Sequence, residues 1–433
     1  MEIISIIIYF FVSFVTKSMY IRRKIHQDIK KHLSRKEYTI ITGPRQSGKT
    51  SLLQAIYREL ESNGDVVSYL TFEDRDILTA INDHPEEVFS FVPRPAKYLN
   101  SSDESKKPVF LFIDEVQYAA DPSNFLKYLY YVYNRNLKII ATGSSAFYLD
   151  QKFKDSLSGR KRVFKLQTLT FEEWLVFKNL DRLSGELKII QNRNDYISPD
   201  HRELREMFDE YLIFGGYPEV ALENNSDEKI KLLKDIRDSF LKRDIDESGV
   251  SNPDKFYNLL ALLAGQTGNL VNRNELANTI GVDNKTIQKY LFVLENCFHI
   301  ELIKPFYSNL RKELTKMPKI YFMDSGLRNS SLNRFFDFNS REDQGVLIEN
   351  YIHKRLTEQF DSDLIRFWRT TDNNEIDFII STSFNEGLAY EVKLKCKSGK
   401  STSIKKFTEN YPTFTVEVIS YDLDRNCKWI LKL

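Results

Sequence analysis

Cysteine is nearly absent from this chain. Cys297, Cys396 and Cys427 are the only three in 433 residues, far apart and without a C-x-x-C pair. That scarcity argues against a disulfide framework and against a zinc knuckle, and it fits a reducing, cytoplasmic setting. Excess charge of one sign is also missing. Lys and Arg number 62 against 61 Asp and Glu, for a net charge of +1. A strongly polyanionic partner for the chain as a whole is therefore not expected, although local basic patches are open. No apolar run approaches the roughly 20 residues of a membrane span. The longest, Ile3–Val15, is broken by Ser5 and Ser13. No cation precedes it and no small-residue cleavage site follows, so a signal peptide is not expected. Extension through Thr16–Tyr20 would make it an anchor with a basic flank. The plainer reading starts a soluble chain at Met19, with residues 1–19 an apolar extension and no membrane partner. Internal repeats and low-complexity tracts are lacking as well. What is present in abundance is core material: 42% hydrophobic and 13% aromatic residues, enough for about two or three packed domains.

The sharpest motif is Gly43-Pro44-Arg45-Gln46-Ser47-Gly48-Lys49-Thr50, which fits G-x-x-x-x-G-K-[ST]. Tyr38–Ile41 leads into it as a buried strand, and Ser51–Tyr57 follows with helix-favouring residues. Strand, tight turn and helix N-terminus together make an anion site, because successive backbone N–H groups and the helix dipole face one point. Gly43 to Ser51 are the candidate nucleotide-binding residues. Lys49 is expected on the β- and γ-phosphates of ATP and Thr50 on Mg²⁺.

A second signature lies 65 residues beyond Lys49, where the apolar run Val109–Ile113 ends in Asp114-Glu115. Ligands of open α/β sheets bind at the carboxyl ends of strands. Asp114 is placed to support Mg²⁺, and Glu115 to orient or deprotonate the attacking water. The strand Leu137–Thr142 is followed by Gly143-Ser144-Ser145, where a polar residue is expected to meet the γ-phosphate or the water. Thr142 and Ser144 are the candidates, and Ser144 is taken as the catalytic one. Within Ser158-Gly159-Arg160-Lys161-Arg162, Arg160 follows a turn glycine and is the candidate for added positive charge at the γ-phosphate.

Val66–Leu70, Val109–Ile113 and Leu137–Thr142 alternate with helical stretches such as Phe125–Tyr133, which predicts βαβ units and a parallel sheet. The expected fold class is α/β. A P-loop NTPase core over residues 20–169 is followed by a helical lid or linker over 170–250 and a winged-helix-like segment over 251–335. In that segment the helix Asn274–Ile280, the turn Gly281–Asp283 and the helix Asn284–Glu295 precede wing strands at Ile300–Pro305 and Lys319–Met323. A separate α/β domain fills 342–433.

The series GPRQSGKT, FLFIDEVQ, IIATGSSA, LSGRKRVFKLQTLTFEEWL and FGGYPEV resembles a prokaryotic, mostly archaeal family of AAA-type P-loop ATPases. Its members pair an AAA domain of family 14 with a C-terminal domain of unknown function, number 4143. KRDI, FMDSGL and the pair EIDF and EVK extend the resemblance to the end of the chain, while residues before Met19 lie outside it. The resemblance implies ATP binding and hydrolysis with Mg²⁺ and is silent on biological role. The tail also resembles the PD-(D/E)xK nuclease fold, a restriction-endonuclease-like domain. It carries Glu349 on a helix, Asp377 on a strand, and Glu391 and Lys393 on another strand, with Glu375 as a further carboxylate. Residues i and i+2 of a strand share a face, and hard carboxylate oxygens suit Mg²⁺. An inactive scaffold and a plain cross-strand Glu/Lys pair are the competing readings.

Asn284, Lys285, Gln288 and Lys289 would face a DNA groove, with Lys304, Arg311, Lys312, Lys316 and Lys319 adding charge to the wing. Lys395, Lys397, Lys400, Lys405 and Lys406 are a second basic group, which a solvated face also explains. The leading expectation is an ATPase whose nucleotide state moves its C-terminal domains. The alternatives are an ATP-gated DNA-binding or DNA-cleaving protein and a nucleotide-binding regulatory scaffold. A protein partner or a homo-oligomer fits each of them.

Overall fold

A computed structural model of the chain describes residues 20–97, 107–143, 157, 159–193, 195–307, 316–383, 385–396 and 401–433. It groups into two compact units. The first comprises Met1–Ile41, Gly48–Thr142 and Asp155–Phe164; the second comprises Thr42–Ser47, Gly143–Lys154 and Lys165–Leu433.

In the first part of the chain, α1 (Ile25–His32) precedes β1 (Tyr38–Thr42), α2 (Lys49–Ser62), β2 (Val67–Thr71), α3 (Arg75–Asp83) and β3 (Val109–Asp114). Then come α4 (Pro122–Tyr133), β4 (Leu137–Gly143) and β5 (Lys161–Lys165). The strands form one sheet in the order β2-β3-β4-β1-β5, with β2–β3 and β3–β4 parallel. Every residue of β1 and β4 is buried, as expected for strands covered on both faces. Helix starts follow local chemistry. Asp74 accepts hydrogen bonds from the N–H groups of Asp76 and Ile77, and Asp121 accepts from Asn124 N–H with Pro122 in the first turn. α1 is held by an unusual anchor. Lys138 of β4 is buried, and its Nζ donates to the carbonyls of His32 at 3.2 Å, Arg35 at 3.0 Å and Glu37.

The second unit begins its helices with α5 (Phe171–Phe177), set by a capping box between Thr170 and Glu173. It continues through α6 (Asp181–Asn192), α7 (His201–Phe214), α8 (Pro218–Leu222) and α9 (Ser226–Ser248). Next are α10 (Pro253–Gly265), α11 (Arg273–Ile280), α12 (Asn284–Asn296), β6 (Ile300–Pro305), β7 (Lys319–Phe322) and α13 (Ser325–Leu332). The tail carries α14 (Gln344–Thr357), β8 (Ile365–Arg369), β9 (Glu375–Ser383), β10 (Glu386–Lys393), α15 (Thr402–Asn410), β11 (Phe414–Ser420) and β12 (Lys428–Trp429). The helix–turn–helix is built locally: Gly281 caps α11 in the left-handed region, and Asp283 caps α12 by accepting from Thr286 N–H.

The wing strands do not end with that motif. β6 pairs antiparallel with β7 and parallel with β8, through Lys304↔Arg366 and Pro305↔Phe367. One seven-stranded sheet therefore runs β12-β11-β10-β9-β8-β6-β7. The same long-range pairing brings cysteines together against the expectation from their spacing. Cys396 lies just after β10 and Cys427 just before β12, on either side of β11, and they are joined as a disulfide with 6.1 Å between Cα atoms. Cys297 is buried and takes no part in that disulfide.

The motifs FGGYPEV and FMDSGL meet in a buried knot. Asp324 is 2% exposed. Its Oδ2 accepts from Thr168 Oγ1 at 2.8 Å and Gly216 N at 2.9 Å, while Oδ1 accepts from Gly326 N at 2.9 Å and Leu327 N at 3.2 Å. Lys354 of α14 donates to Thr168 Oγ1 at 2.6 Å and to Leu169 O at 3.1 Å. Both glycines of FGG are required there. A Cβ on Gly215 would lie 2.1 Å from Asp324 Oδ1, and one on Gly216 would lie 2.4 Å from Leu169 O.

Candidate functional site

The phosphate loop is shaped by backbone angles that few residues adopt. Gly43, Gln46 and Gly48 have φ of 151°, 55° and 93°. Gly48 caps α2 from the left-handed region, so the helix starts at Lys49 with its first N–H groups open to an anion. Gly43 is further constrained by packing: an added Cβ would lie 2.0 Å from Leu166 O. Lys49 is 5% exposed at the head of the helix.

Asp114, at the end of β3, is the hub. Thr50 Oγ1 donates to its Oδ2 at 2.9 Å and Tyr69 Oη to the same oxygen at 3.1 Å. Thr142 Oγ1 donates to Oδ1 and accepts from Glu115 N at 3.0 Å. Burial, with Asp114 beside it, pushes the Tyr69 phenol far above its ordinary range, so it remains a donor. The register Thr71↔Asp114 explains why Tyr69, two residues earlier on β2, reaches the carboxylate. Glu115 follows in the left-handed region, at φ 57° and ψ 51°, and its Oε2 accepts from Gln117 Nε2. A non-glycine residue held there is strained backbone of the kind that clusters at functional sites.

The donor set fits Mg²⁺. Thr50 Oγ1 and Asp114 Oδ2 are neighbouring hard oxygens, and Mg²⁺ is commonly held by one or two protein oxygens plus phosphates and water. Among the described residues, no group of three or more His, Cys, Asp or Glu is arranged to hold a metal unaided.

Several sequence candidates meet here and others do not. Lys49, Thr50, Asp114, Glu115 and Thr142 belong to this cluster or to the loop beside it. Arg160 stacks its guanidinium on Tyr131, 4.8 Å from the ring centroid, and donates to the Tyr131 hydroxyl. Ser144, Ser145 and Ser158 lie outside the described residues. Tyr69 and Gln117 were not read as site residues. The Gln follows Glu115 by two in FLFIDEVQ, a readable signal, whereas the Tyr depends on strand register.

A second polar cluster lies in the tail, wholly within the second unit. Glu349 of α14, Glu375 and Asp377 of β9, and Glu391 and Lys393 of β10 lie close to one another. Lys393 pairs with Glu391 Oε1, and Asp377 Oδ2 accepts from Val392 N at 2.8 Å. Glu391 is 5% exposed, and its Oε2 has no hydrogen-bond partner. Burial raises Asp377 and Glu391, Asp377 with Glu349 and Glu391 adding, Glu391 despite its Lys393 bond. Lys319 is the surprise. Expected on the basic wing surface, it is 2% exposed and sits among these acids, because β7 joins the same sheet and turns the side chain inward.

The wing's remaining charge lines an open cleft of about 740 Å³. Asn284, Lys285, Gln288 and Lys289 of α12 face it, together with Arg273, Lys304 and Lys316. Arg311, Lys312, Lys397 and Lys400 lie outside the described residues, as do residues 1–19. Among the described residues no helix is long and apolar enough to cross a membrane.

Residues 35–175 match the AAA domain of family 14, residues 205–337 a domain of unknown function (DUF8612), and residues 344–431 a domain of unknown function (DUF4143). An uncharacterized protein of Haemophilus influenzae is 27% identical over 354 residues, covering 78% of this chain and 78% of that protein. One of Methanocaldococcus jannaschii is 26% identical over 364 residues, covering 82% and 75%. Among solved structures, the ORC2 protein of Aeropyrum pernix in its ADPNP–ADP complexes is similar with a TM-score of 0.39 at 13% identity, covering 79% of this chain and 98% of that one. The chain thus carries a P-loop domain that matches the AAA domain of family 14 and a C-terminal part that matches the domain of unknown function DUF4143, with relatives in both archaea and bacteria.

Proposed function

We propose that the chain binds ATP with Mg²⁺ at Gly43–Ser51 and hydrolyses it, and that the nucleotide state repositions its C-terminal domains. The observation that carries this reading is the hydrogen-bonded set Thr50–Asp114–Thr142–Glu115, which joins the head of α2 to the ends of β3 and β4. Thr50 and Asp114 would hold Mg²⁺, which would supply positive charge against the charge that develops during phosphoryl transfer. The protein's own contributions are separable. The loop N–H groups and Lys49 hold the phosphates, and Thr50 and Asp114 offer oxygens to the ion. Tyr69 and Thr142 keep the Asp114 carboxylate oriented, and Glu115 takes up the proton of the attacking water while Gln117 fixes its side chain. Gly43 and Leu166 are in backbone contact, and Leu166 N donates to Thr42 O at 2.7 Å, two residues before Thr168 joins the Asp324 knot. That continuity runs within the second unit, from the first residues of the phosphate loop to the Asp324 knot. Cytoplasm is the compartment this reading favours, since ATP is supplied there.

Glu115→Gln is expected to retain ATP and to slow turnover at least about a hundredfold. Lys49→Ala is expected to lose ATP binding by calorimetry. Normal turnover in the first or micromolar binding in the second removes the assignment.

A second reading, DNA binding through the winged helix, is favoured by the basic cleft around Lys285, Lys304 and Lys316. It predicts binding of duplex DNA that weakens steeply with salt, followed by fluorescence anisotropy. Absence of binding at low salt, with and without ATP, sinks it.

A further inference from the structure

The nuclease-like cluster already contains a cation, and the chain supplies it. Lys319 opens β7, a strand added to the tail's sheet through β6 and β8. Its Nζ is 3.2 Å from Glu349 Oε1, closer still to Glu375 Oε1, and 4.0 Å from Asp377 Oδ1. Tyr321, two residues on and on the same face, donates to Glu349 Oε1 at 2.6 Å. Glu375 is further paired with Arg369 at 3.0 Å, and Glu391 with Lys393. Three side-chain cations thus face the four carboxylates Glu349, Glu375, Asp377 and Glu391.

A divalent ion does not fit this arrangement. Mg²⁺ needs carboxylate oxygens at about 2.0–2.1 Å and tolerates little distortion. Here the point shared by Glu349, Glu375 and Asp377 is taken by an ammonium group of the same charge sign. A buried lysine is costly unless its partners are fixed, and these are fixed by one helix, one strand and Tyr321. The ammonium is tied to the sheet by its own strand, so it does not exchange with solvent as an ion would.

We propose that Lys319 is a built-in replacement for the metal of a nuclease-like centre, so that the tail's carboxylate cluster serves as a metal-free structural ion network rather than a site of phosphodiester hydrolysis. Glu349, Glu375 and Asp377 then hold Lys319, and through it the wing strands, against the tail. The inference is independent of ATP chemistry at the phosphate loop, and it confines the DNA reading to binding without cleavage.

Manganese binding to the full-length, nucleotide-free chain, counted by electron paramagnetic resonance, tests it. Wild type, Asp377→Asn and Glu391→Gln are expected to bind the same number of Mn²⁺ ions. Lys319→Gln is expected to unfold at lower temperature in EDTA, to gain one Mn²⁺, and to recover stability with it. Adding Asp377→Asn to Lys319→Gln should remove that gain. A Mn²⁺ ion bound by wild type and lost in Asp377→Asn overturns the proposal, as does Mg²⁺-dependent DNA cleavage that Glu391→Gln abolishes. A folded Lys319→Gln protein that binds no extra Mn²⁺ also counts against it. Should Lys319→Gln fail to fold with or without metal, the comparison of wild type with Asp377→Asn still decides.

Discussion

Asp114 accepts from three hydroxyls, those of Thr50, Tyr69 and Thr142, and is therefore positioned before any ion arrives. Removing one donor leaves a buried carboxylate short of a partner, which costs about 1–3 kcal/mol. Thr142→Val is expected to lower stability by that amount and to reduce turnover about tenfold while ATP affinity changes little. Calorimetry and steady-state kinetics on the one variant separate the two effects. Two buried bases set a pH dependence in the first unit. Burial, with Lys138 and Arg162 nearby, lowers His32 from 6.5 to about 4. Between pH 4 and 6.5 the unfolded chain then binds more protons than the folded one, so stability falls as pH falls through that window. Each such group contributes a slope of at most about 1.4 kcal/mol per pH unit. Burial lowers Lys138 from 10.5 to about 7, so by the same sign its contribution grows as pH rises from 7 to 10.5. Urea unfolding of wild type and His32→Gln at pH 5 and pH 7 checks the acid limb, where the variant should show the shallower loss.

At the scale of elements, glycines mark where backbone meets backbone. Gly215→Ala would force a Cβ to 2.1 Å from Asp324 Oδ1, at a φ of 73°. Gly249→Ala, at a φ of 62°, would meet nothing within 4 Å. The second substitution should cost only the left-handed strain of about 1–2 kcal/mol. The first should cost about 3 kcal/mol or more, because the Asp324 knot must open. Denaturant midpoints of the pair test this directly. Much at this scale was legible beforehand. The run Val109–Ile113 matches β3 to within a residue, and α11 and α12 follow from the turn Gly281–Asp283 and an apolar face of Ile287, Leu291 and Leu294. Local rules sufficed there: a capping carboxylate, a left-handed glycine, a helical period. FGGYPEV and FMDSGL were recognisable as motifs, yet nothing in either reveals that they close on each other through one aspartate.

At the scale of the whole molecule, ligand and cross-link act on the folding equilibrium. ATP at about 100 times its dissociation constant should stabilise the nucleotide-binding part by about 2.7 kcal/mol, an effect that Lys49→Ala should abolish in thermal scans. The Cys396–Cys427 bond closes a separation of 31 residues, for which the chain-entropy argument gives about 3–4 kcal/mol. Reduction should therefore lower the unfolding midpoint of the second unit, and Cys427→Ser should reproduce that loss without reductant. The bond sets the cytoplasmic reading against the oxidising compartments that favour disulfides. By itself, the sequence determined what depends on neighbours along the chain. The phosphate loop and its helix, the Asp114-Glu115 pair at a strand end and the alternation that makes a parallel sheet all follow from spacing, backbone angles and periodicity. Only the tertiary structure decided what depends on register between distant segments. It brought Tyr69 and Thr142 to Asp114, joined the wing to the tail's sheet, paired the two cysteines, and turned Lys319 from an apparent surface charge into the cation at the centre of the acid cluster. A lysine's place is set by the strand that β7 finds to pair with, and no residue near Lys319 in sequence carries that information.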